Sequence, residues 1–228
     1  MCGRYANSRH DGDLLRDFQV ASVVDPPPEP SWNVAPTDHA RVVLERAVNG
    51  EPDRQLRTLR WGLVPSWAKD LKIGAKLINA RSETVTEKSA FKTAASKRRC
   101  LVPADGYYEW MATGDGKVPI YLHGDGVLGF AGLYEIRRDP DDPEQWLWTY
   151  TIITCTTQDA LGHVHDRSPV VLPADLHSAW LDPTMTDSAT VRELLAAVPP
   201  PVLETYQVST AVNSVKNNSP DLVKPGAG

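Results

Sequence analysis

The sequence predicts an α+β protein: a single domain whose mainly antiparallel sheet is curled into a barrel-like core with a few flanking helices. Three observations support this. The chain has 228 residues, enough for one large domain with a sizeable core. Four apolar, β-branched and aromatic runs follow one another between residues 101 and 155, separated by turn residues. Helical patterns are few, and antiparallel sheets of this length often curl into barrels.

Strand patterns dominate the middle of the chain. The four runs are LVPADGYYEW, KVPIYLH, VLGFAGLYEI and QWLWTYTIITC, and GDG, HGDG and DPDDPE stand between them. Runs joined by such turns are typical of an antiparallel meander. RTLRWGLV (57–64) and LETYQVST (203–210) predict two further strands.

Three segments have helical patterns. TVTEKSAFKTAASKR begins with a capping box formed by Thr84 and Glu87. PADLHSAWL and DSATVRELLAA also predict helices, and the second ends before the prolines at 199–201. We expect one domain over 1–228, with an irregular tail at 218–228.

Composition limits the possible functions. We find no apolar run long enough to cross a membrane and no leader segment, and a net charge of -5 argues against general affinity for nucleic acid. The three cysteines are odd in number, far apart and without CxxC spacing, as in reduced proteins. We therefore expect a cytoplasmic monomer without metal or cofactor, in which any DNA binding needs a local cationic patch.

The second residue carries unusual chemistry. If Met1 is removed, Cys2 has a free amine of pKa about 8 and a thiol of pKa about 8.5 on adjacent carbons. Toward an amide or ester, the amine can act as base while the thiol attacks. Toward an aldehyde, the amine forms an imine and the thiol closes a five-membered thiazolidine. Position alone also fits a terminal bystander, because chain ends are often loose.

Two internal segments carry polar side chains suited to such chemistry. In LINARSET, Asn79 and Arg81 are two residues apart, so both point the same way in an extended chain. The amide can bind a hydroxyl or carbonyl, and the guanidinium a phosphate, although a surface strand end fits the pair as well. Glu109 in DGYYEW stands among aromatic residues, which can raise the pKa of a carboxyl and make it an acid or base.

Two more segments offer a proton-transfer residue and an exposed aromatic. HVHDRSP contains His163 and His165, but no third ligand with suitable spacing supports a metal site. His165, followed by an aspartate and Arg167, fits proton transfer beside a phosphate contact. In RWGLVPSW, Trp67 stands on a turn where it could stack on a base.

These segments occur in a fixed order along nearly the whole chain: CGRY, WNVAPT, RWGLVPSW, NARSET, RRCLVPADGYYEW, FAGLY, HDRSPVVL and VNSVKNNSP. The set closely resembles the SOS response-associated peptidase (SRAP) family. The resemblance implies a DNA-damage protein that senses and shields abasic sites in single-stranded DNA. In that family the processed N-terminal cysteine attacks the ring-opened sugar aldehyde and forms a stable thiazolidine crosslink.

The resemblance also implies roles for individual residues. Cys2 is the expected nucleophile, Asn79 positions the amine or sugar, Glu109 is the acid or base, and His165 assists imine formation and reversal. The expected phosphate contacts are Arg4, Arg81 and Arg167, with Trp67 as a base-stacking wedge. Ser168 departs from the larger residue that many relatives carry in HDR-x-P, which affects only local pocket shape.

Three other readings stay open at this point. MCG also begins glutamine amidotransferase domains, although their glutamine-holding motifs are not found here. A peptidase, whose minimal form removes its own Met1, would cleave unrelated peptides. A non-catalytic DNA-binding module would bind abasic and intact strands equally.

Overall fold

The computed structural model describes residues 2–114, 116–140, 142–156 and 164–226. The strands in this part are β1 Tyr5–Asn7, β2 Ser22–Val23, β3 Ser31–Val34, β4 His39–Val48, β5 Glu51–Trp61, β6 Asn79–Arg81, β7 Arg99–Ala104, β8 Gly106–Thr113, β9 Gly116–His123, β10 Leu128–Arg138, β11 Trp146–Thr156, β12 Arg167–Pro169 and β13 Glu204–Gln207. The α-helices are α1 Asp11–Asp17, α2 Lys92–Lys97, α3 His177–Leu181 and α4 Ser188–Ala197, and short 3-10 helices cover Leu71–Lys76, Ala174–Leu176, Thr210–Asn213 and Pro220–Val223.

Five strands form a closed barrel, which confirms the predicted fold class. β5, β4, β7, β10 and β11 pair antiparallel in that order. The ring closes where β11 pairs in parallel with β5, with Tyr150 opposite Trp61. β5 leaves the barrel at Gly62, whose φ of +111° and close approach to Gly74 both require a residue without a Cβ.

A second sheet shares its apolar core with the barrel. Its strand order is β13-β9-β8-β1-β3. Tyr5, Tyr107 and Leu122 from this sheet join the cluster of apolar side chains that fills the barrel, which also contains Phe130 and Tyr150. The two sheets therefore share one core, and the N-terminal segment lies in it.

The helices pack outside the barrel wall. Leu14 of α1, Ala95 of α2, Trp180 of α3 and Val191 of α4 belong to a second cluster against the outward side chains of the barrel strands. A third cluster lies on the other face of the second sheet and includes Leu222 of the C-terminal segment. Within the described residues, no helix is long and apolar enough to cross a membrane.

The predicted meander is only partly right. β8 pairs with β9 and β10 with β11, so both hairpins are confirmed. β7 and β8 are separated at Asp105, which accepts hydrogen bonds from Ser8 and Arg9, and β7 pairs with β10 instead. The chain thus leaves the barrel after β7, forms the β8–β9 hairpin in the second sheet, and returns to the barrel at β10.

The predicted start of the helix at Thr84 is wrong. The Thr84 carbonyl accepts hydrogen bonds from the backbone of Glu87 and Lys88 in turns, and the helix begins only at Lys92. Val85 is fully buried, so packing against the core outweighs the local capping signal. Helices at α3 and α4, and strands at β5 and β13, are confirmed. Helix α1 and strand β4 were not predicted.

Candidate active site

Cys2 lies inside the molecule. Its side chain is 0% exposed and packs in the cluster that fills the barrel. Burial raises the pKa of the Cys2 thiol well above its usual range, and the nearby charge of Glu109 raises it further. The thiol is therefore protonated at neutral pH and needs a base before it can attack. Met1 lies outside the described residues.

Asn79 holds the cysteine backbone. Its Nδ2 donates a hydrogen bond of 2.8 Å to the Cys2 carbonyl. Its Oδ1 is buried and has no hydrogen-bond partner among the described residues. β6 is fixed in turn from two sides, because the Ile78 carbonyl accepts from Trp61 Nε1 at 2.9 Å and from the backbone of Ile152 at 3.1 Å. The amide therefore presents an unused acceptor beside Cys2.

Glu109 approaches the same point from β8. Side chains alternate along this strand, so Tyr107 faces the barrel core while Tyr108 and Trp110 face the opposite side. Glu109 has the parity of Tyr107 and is 5% exposed. Burial raises the pKa of its carboxyl from 4.5 to about 7, with a smaller contribution from the charge of Asp166. The carboxyl is thus balanced between its acid and base forms near neutral pH.

His165 borders the site, because its contact Asp166 is close enough to Glu109 for its charge to raise the pKa of that carboxyl. Its Nδ1 accepts a hydrogen bond of 3.0 Å from the backbone of Arg167 and also lies 2.8 Å from an Asp166 oxygen. The first contact needs a lone pair on Nδ1 and the second a proton. Burial lowers the pKa of His165, and Asp166 is 86% exposed, so the neutral ring with its proton on Nε2 is favoured.

The three site residues Cys2, Asn79 and Glu109 come from distant parts of the chain. Asn79 stands on β6, which pairs with β11, while Glu109 stands on β8 of the second sheet. The N-terminal segment carrying Cys2 enters between them and continues as β1, which pairs with β8. The residues meet because the two sheets share one core.

Arg81 is the most available of the predicted cations. It ends β6, is exposed, and its guanidinium makes no hydrogen bond or ion pair with a described residue. Arg167 is engaged instead: its two Nη atoms lie 3.1 and 3.0 Å from the Glu83 carboxylate, and Nη2 donates to the Thr154 carbonyl at 2.6 Å. Partial burial alone would raise the pKa of the Glu83 carboxyl. The hydrogen bond from Arg167 outweighs burial and keeps that pKa below its usual value.

Arg4 points away from Cys2. It precedes the inward-facing Tyr5, and its Nη1 donates to Asn33 Oδ1 at 2.7 Å and to the Val212 carbonyl at 2.9 Å. Its guanidinium lies 5.7 Å from the ring centre of Trp110, on the outer face of the second sheet.

Trp67 is 57% exposed on the turn after β5. Arg137 of β10 donates to the Pro65 carbonyl of this turn at 3.4 Å, and Arg137 pairs with Leu147 of β11. Asn79 pairs with Ile152 of the same strand. The turn that carries Trp67 therefore lies beside the β10–β11 hairpin, and β11 is also the strand that pairs with β6.

Sequence reasoning missed several supporting residues. Asn33 lies in WNVAPT and Glu83 in NARSET, so both were in recognised motifs without an assigned role. Their partners, Arg4 and Arg167, are distant in sequence, and no local signal marks the pairs. His163 lies outside the described residues.

The chain matches a known family and related proteins over nearly its whole length. The model of the family described as SOS response associated peptidase (SRAP) matches residues 1–215. The chain is 40% identical over 231 residues to the abasic site processing protein YoqW of Bacillus subtilis, covering 98% of this chain and 99% of the relative. It is 34% identical over 225 residues to the abasic site processing protein HMCES of Gallus gallus, covering 86% of this chain and 66% of the relative.

Solved structures agree on the fold. A protein from Bacteroides thetaiotaomicron superposes with a TM-score of 0.82 at 22% identity, covering 99% of this chain and 100% of the other. A phage-related protein from Bordetella bronchiseptica superposes with a TM-score of 0.71 at 32% identity, covering 91% of this chain and 94% of the other. On the family match and the 40% identity, the chain belongs to the SOS response associated peptidase (SRAP) family, whose named relatives process abasic sites.

Proposed function

We propose that this protein senses abasic sites in single-stranded DNA and shields them by forming a covalent thiazolidine crosslink through Cys2. One observation carries the proposal: the Asn79 amide and the Glu109 carboxyl meet at Cys2 inside a closed core. A buried carboxyl of raised pKa destabilises the folded state when it ionises, so its place beside Cys2 favours a chemical role over a structural one.

Removal of Met1 is the first requirement. In the full chain the Cys2 nitrogen is an amide, whose lone pair is delocalised and does not add to aldehydes. Hydrolysis of the Met1–Cys2 bond consumes one water and releases the amine. The small side chain of Cys2 suits a methionine aminopeptidase, and autocatalytic removal is the alternative.

The crosslink then forms in two steps. The amine of Cys2 adds to the sugar aldehyde, and the carbinolamine loses its hydroxyl as water to give an imine. The thiol adds to the imine carbon, its proton passes to the nitrogen, and the ring closes with one water released overall. The second bond is favoured because it is intramolecular. In this scheme Glu109 donates a proton to the leaving hydroxyl and accepts one from the thiol.

Asn79 and His165 support these steps. The unused Oδ1 of Asn79 can accept an N–H of the freed amine, which would aim the nitrogen lone pair at the aldehyde. The protonated Nε2 of neutral His165 can donate to an oxygen of the opening sugar. Because the imine steps are reversible, the same donor would assist reversal of the crosslink.

DNA would reach the site along the edge of β6. Arg81 is free to bind the phosphate beside the reacting sugar, and Arg167 would exchange Glu83 for a phosphate, since both accept two hydrogen bonds from one guanidinium. Trp67 would stack on or wedge beside a base farther along. Arg4 would contact DNA only if it left Asn33 and Val212. An abasic sugar has no base to unstack, which favours its entry.

We also propose an oligomeric state and a cellular location. The net charge of -5 fits a monomer that binds a short single strand through few phosphates. We propose that it acts in the cytoplasm, on the nucleoid after DNA damage, as part of an SOS-type response.

The test is a denaturing gel of the protein mixed with abasic single-stranded DNA. A heat-stable, slower band is expected from protein with a free Cys2, and intact mass should show loss of one water. Protein with a tag retained before Cys2 is the matched control, and it should form no stable adduct until the tag is cleaved. Equal crosslinking by blocked and free Cys2 contradicts the mechanism.

The alternative activities are tested on the same preparation. Glutaminase turnover would favour the amidotransferase reading, and release of fragments from unrelated peptides would favour a general peptidase. Equal binding of abasic and intact strands without a covalent band would favour a passive DNA-binding module. We expect none of these.

A further inference from the structure

A cavity of about 500 Å³ lies next to the proposed site and takes no part in the chemistry above. One wall is apolar, built from Val170, Leu195 and the three prolines at 199–201. The other wall is polar and carries Ser82, Ser168 and Cys155. This volume is in the range of pockets that hold small organic groups, and a nucleobase with its sugar fits it.

The cavity begins where β6 ends. Asn79 and Arg81 pair with Ile152 and Thr154 of β11, and the cavity is lined by the next residues of both segments, Ser82 and Cys155. Three residues of extended chain separate Ser82 from Asn79, about 10 Å at strand spacing. A group in the cavity would therefore sit a short step along the strand from the reacting sugar.

Cations border the cavity. The exposed Arg81 directly precedes Ser82, and Arg167 lies behind Glu83 at the polar wall. Arg192 lines the cavity from α4, is exposed, and makes one long hydrogen bond of 3.4 Å to Thr86. Cations at the mouth and an apolar wall within suit a nucleotide, which has phosphates outside and a base to bury.

We propose that this cavity receives the base of a nucleotide adjoining the abasic site. The inference rests on the proposed function, since it takes the strand to run past Arg81. The polar wall carries the hydroxyls of Ser82 and Ser168, which can each donate or accept. The cavity therefore recognises the presence of a base more than its identity, and it would select abasic sites flanked by intact nucleotides.

The first experiment fills the cavity from an exposed position. Ala196 and Ala197 are neighbours on α4 and both are exposed, but Ala196 lines the cavity and Ala197 does not. We compare Ala196→Trp with Ala197→Trp. The probes are a thymine strand with one central tetrahydrofuran residue and the same strand with tetrahydrofuran also on both sides of it.

We expect an effect only for the Ala196→Trp variant with the strand that carries flanking bases. Ala196→Trp should weaken binding of the strand with flanking bases about tenfold, because the indole occupies the space of the base and removes the affinity gained by burying it. It should leave binding of the strand without flanking bases unchanged, and Ala197→Trp should behave as wild type on both. If the two variants bind both strands alike, the inference fails.

A second experiment reads the cavity directly. In a Cys2→Ser variant the remaining thiols are Cys100, which is fully buried, and Cys155, which lines the cavity. Saturating thymine strand should slow alkylation of Cys155 by N-ethylmaleimide at least tenfold, and the strand without flanking bases should not. Equal alkylation with both bound strands overturns the inference. Crosslinking by wild-type protein is scored separately, so a missing crosslink contradicts the proposed function and not the cavity.

Discussion

Glu109→Gln separates the chemistry of the site from its stability. The substitution keeps the size of the side chain and removes its titration. Raising the pKa from 4.5 to about 7 corresponds to about 3 kcal/mol in favour of the neutral carboxyl, since each pH unit is worth about 1.4 kcal/mol. The wild-type protein therefore carries a buried carboxylate at neutral and alkaline pH that works against folding.

The stability of the wild-type protein should fall as pH rises through neutrality. The carboxyl ionises near its ordinary pKa in the unfolded chain but only near 7 in the folded one. Between these values the folded state binds the extra proton, so wild-type stability falls as pH rises and levels off above about 7. Glutamine is neutral throughout. The variant should match wild type near pH 4 and exceed its free energy of unfolding by about 3 kcal/mol near pH 8.

Crosslinking should change in the opposite direction. General acid–base help is worth about 10²–10⁴ in rate, so the variant should crosslink slower by that factor and lose any inflection near pH 7. The assays are urea unfolding at several pH values and gel-based crosslinking rates. Glu135→Gln is the control, because Glu135 is also buried but pairs with Arg98 at 2.8 Å, away from Cys2. It should lose stability and keep its crosslinking rate.

If Glu109→Gln crosslinks at the wild-type rate while losing stability at alkaline pH, Glu109 is a structural residue.

Three further predictions concern the other site residues. Cys2→Ala should form no stable crosslink, because an amine remains without a ring-closing thiol; Cys2→Ser should still be trapped as an imine by borohydride. A full, reductant-independent yield from Cys2→Ala would exclude the thiazolidine. Arg81→Ala should flatten the log–log salt dependence of binding by about 0.7, one phosphate contact, whereas the exposed Arg16→Ala on α1 should leave it unchanged. A wild-type slope for Arg81→Ala would remove that residue from the DNA contact. His165→Ala should slow crosslinking and also its reversal, measured by chasing a preformed crosslink with competitor abasic DNA; a change in one direction only would contradict a shared proton donor.

The sequence was most informative where pattern and chemistry are local. Both hairpins, helices α3 and α4 and strand β13 follow from alternation, turn residues and capping. The capping box at Thr84 failed because burial of Val85 decided the backbone path there. Strand β4 escaped notice because charged residues interrupt its apolar run, and one of them, Arg41, is buried as an ion pair with Asp11.

For the candidate site, too, the sequence identified residues in local motifs but not their contacts with distant segments. The sequence by itself determined the family and the identity of Cys2, Asn79 and Glu109 as candidates, because these residue types stand in ordered motifs. It also predicted a raised pKa for Glu109 from its aromatic neighbours, but Tyr108 and Trp110 face the other side of the sheet, and burial in the shared core raises that pKa.

Only the tertiary structure decided which groups are free to act. The engagement of Arg167 with Glu83, the turn of Arg4 toward Asn33, and the unused oxygen of Asn79 depend on segments far apart in sequence. The cavity beside Arg81 likewise forms between β6, β11 and α4. Charge pairing and burial depend on distances between atoms in the folded protein. Those distances are set when the two sheets close around one core, so a local sequence pattern does not reveal them.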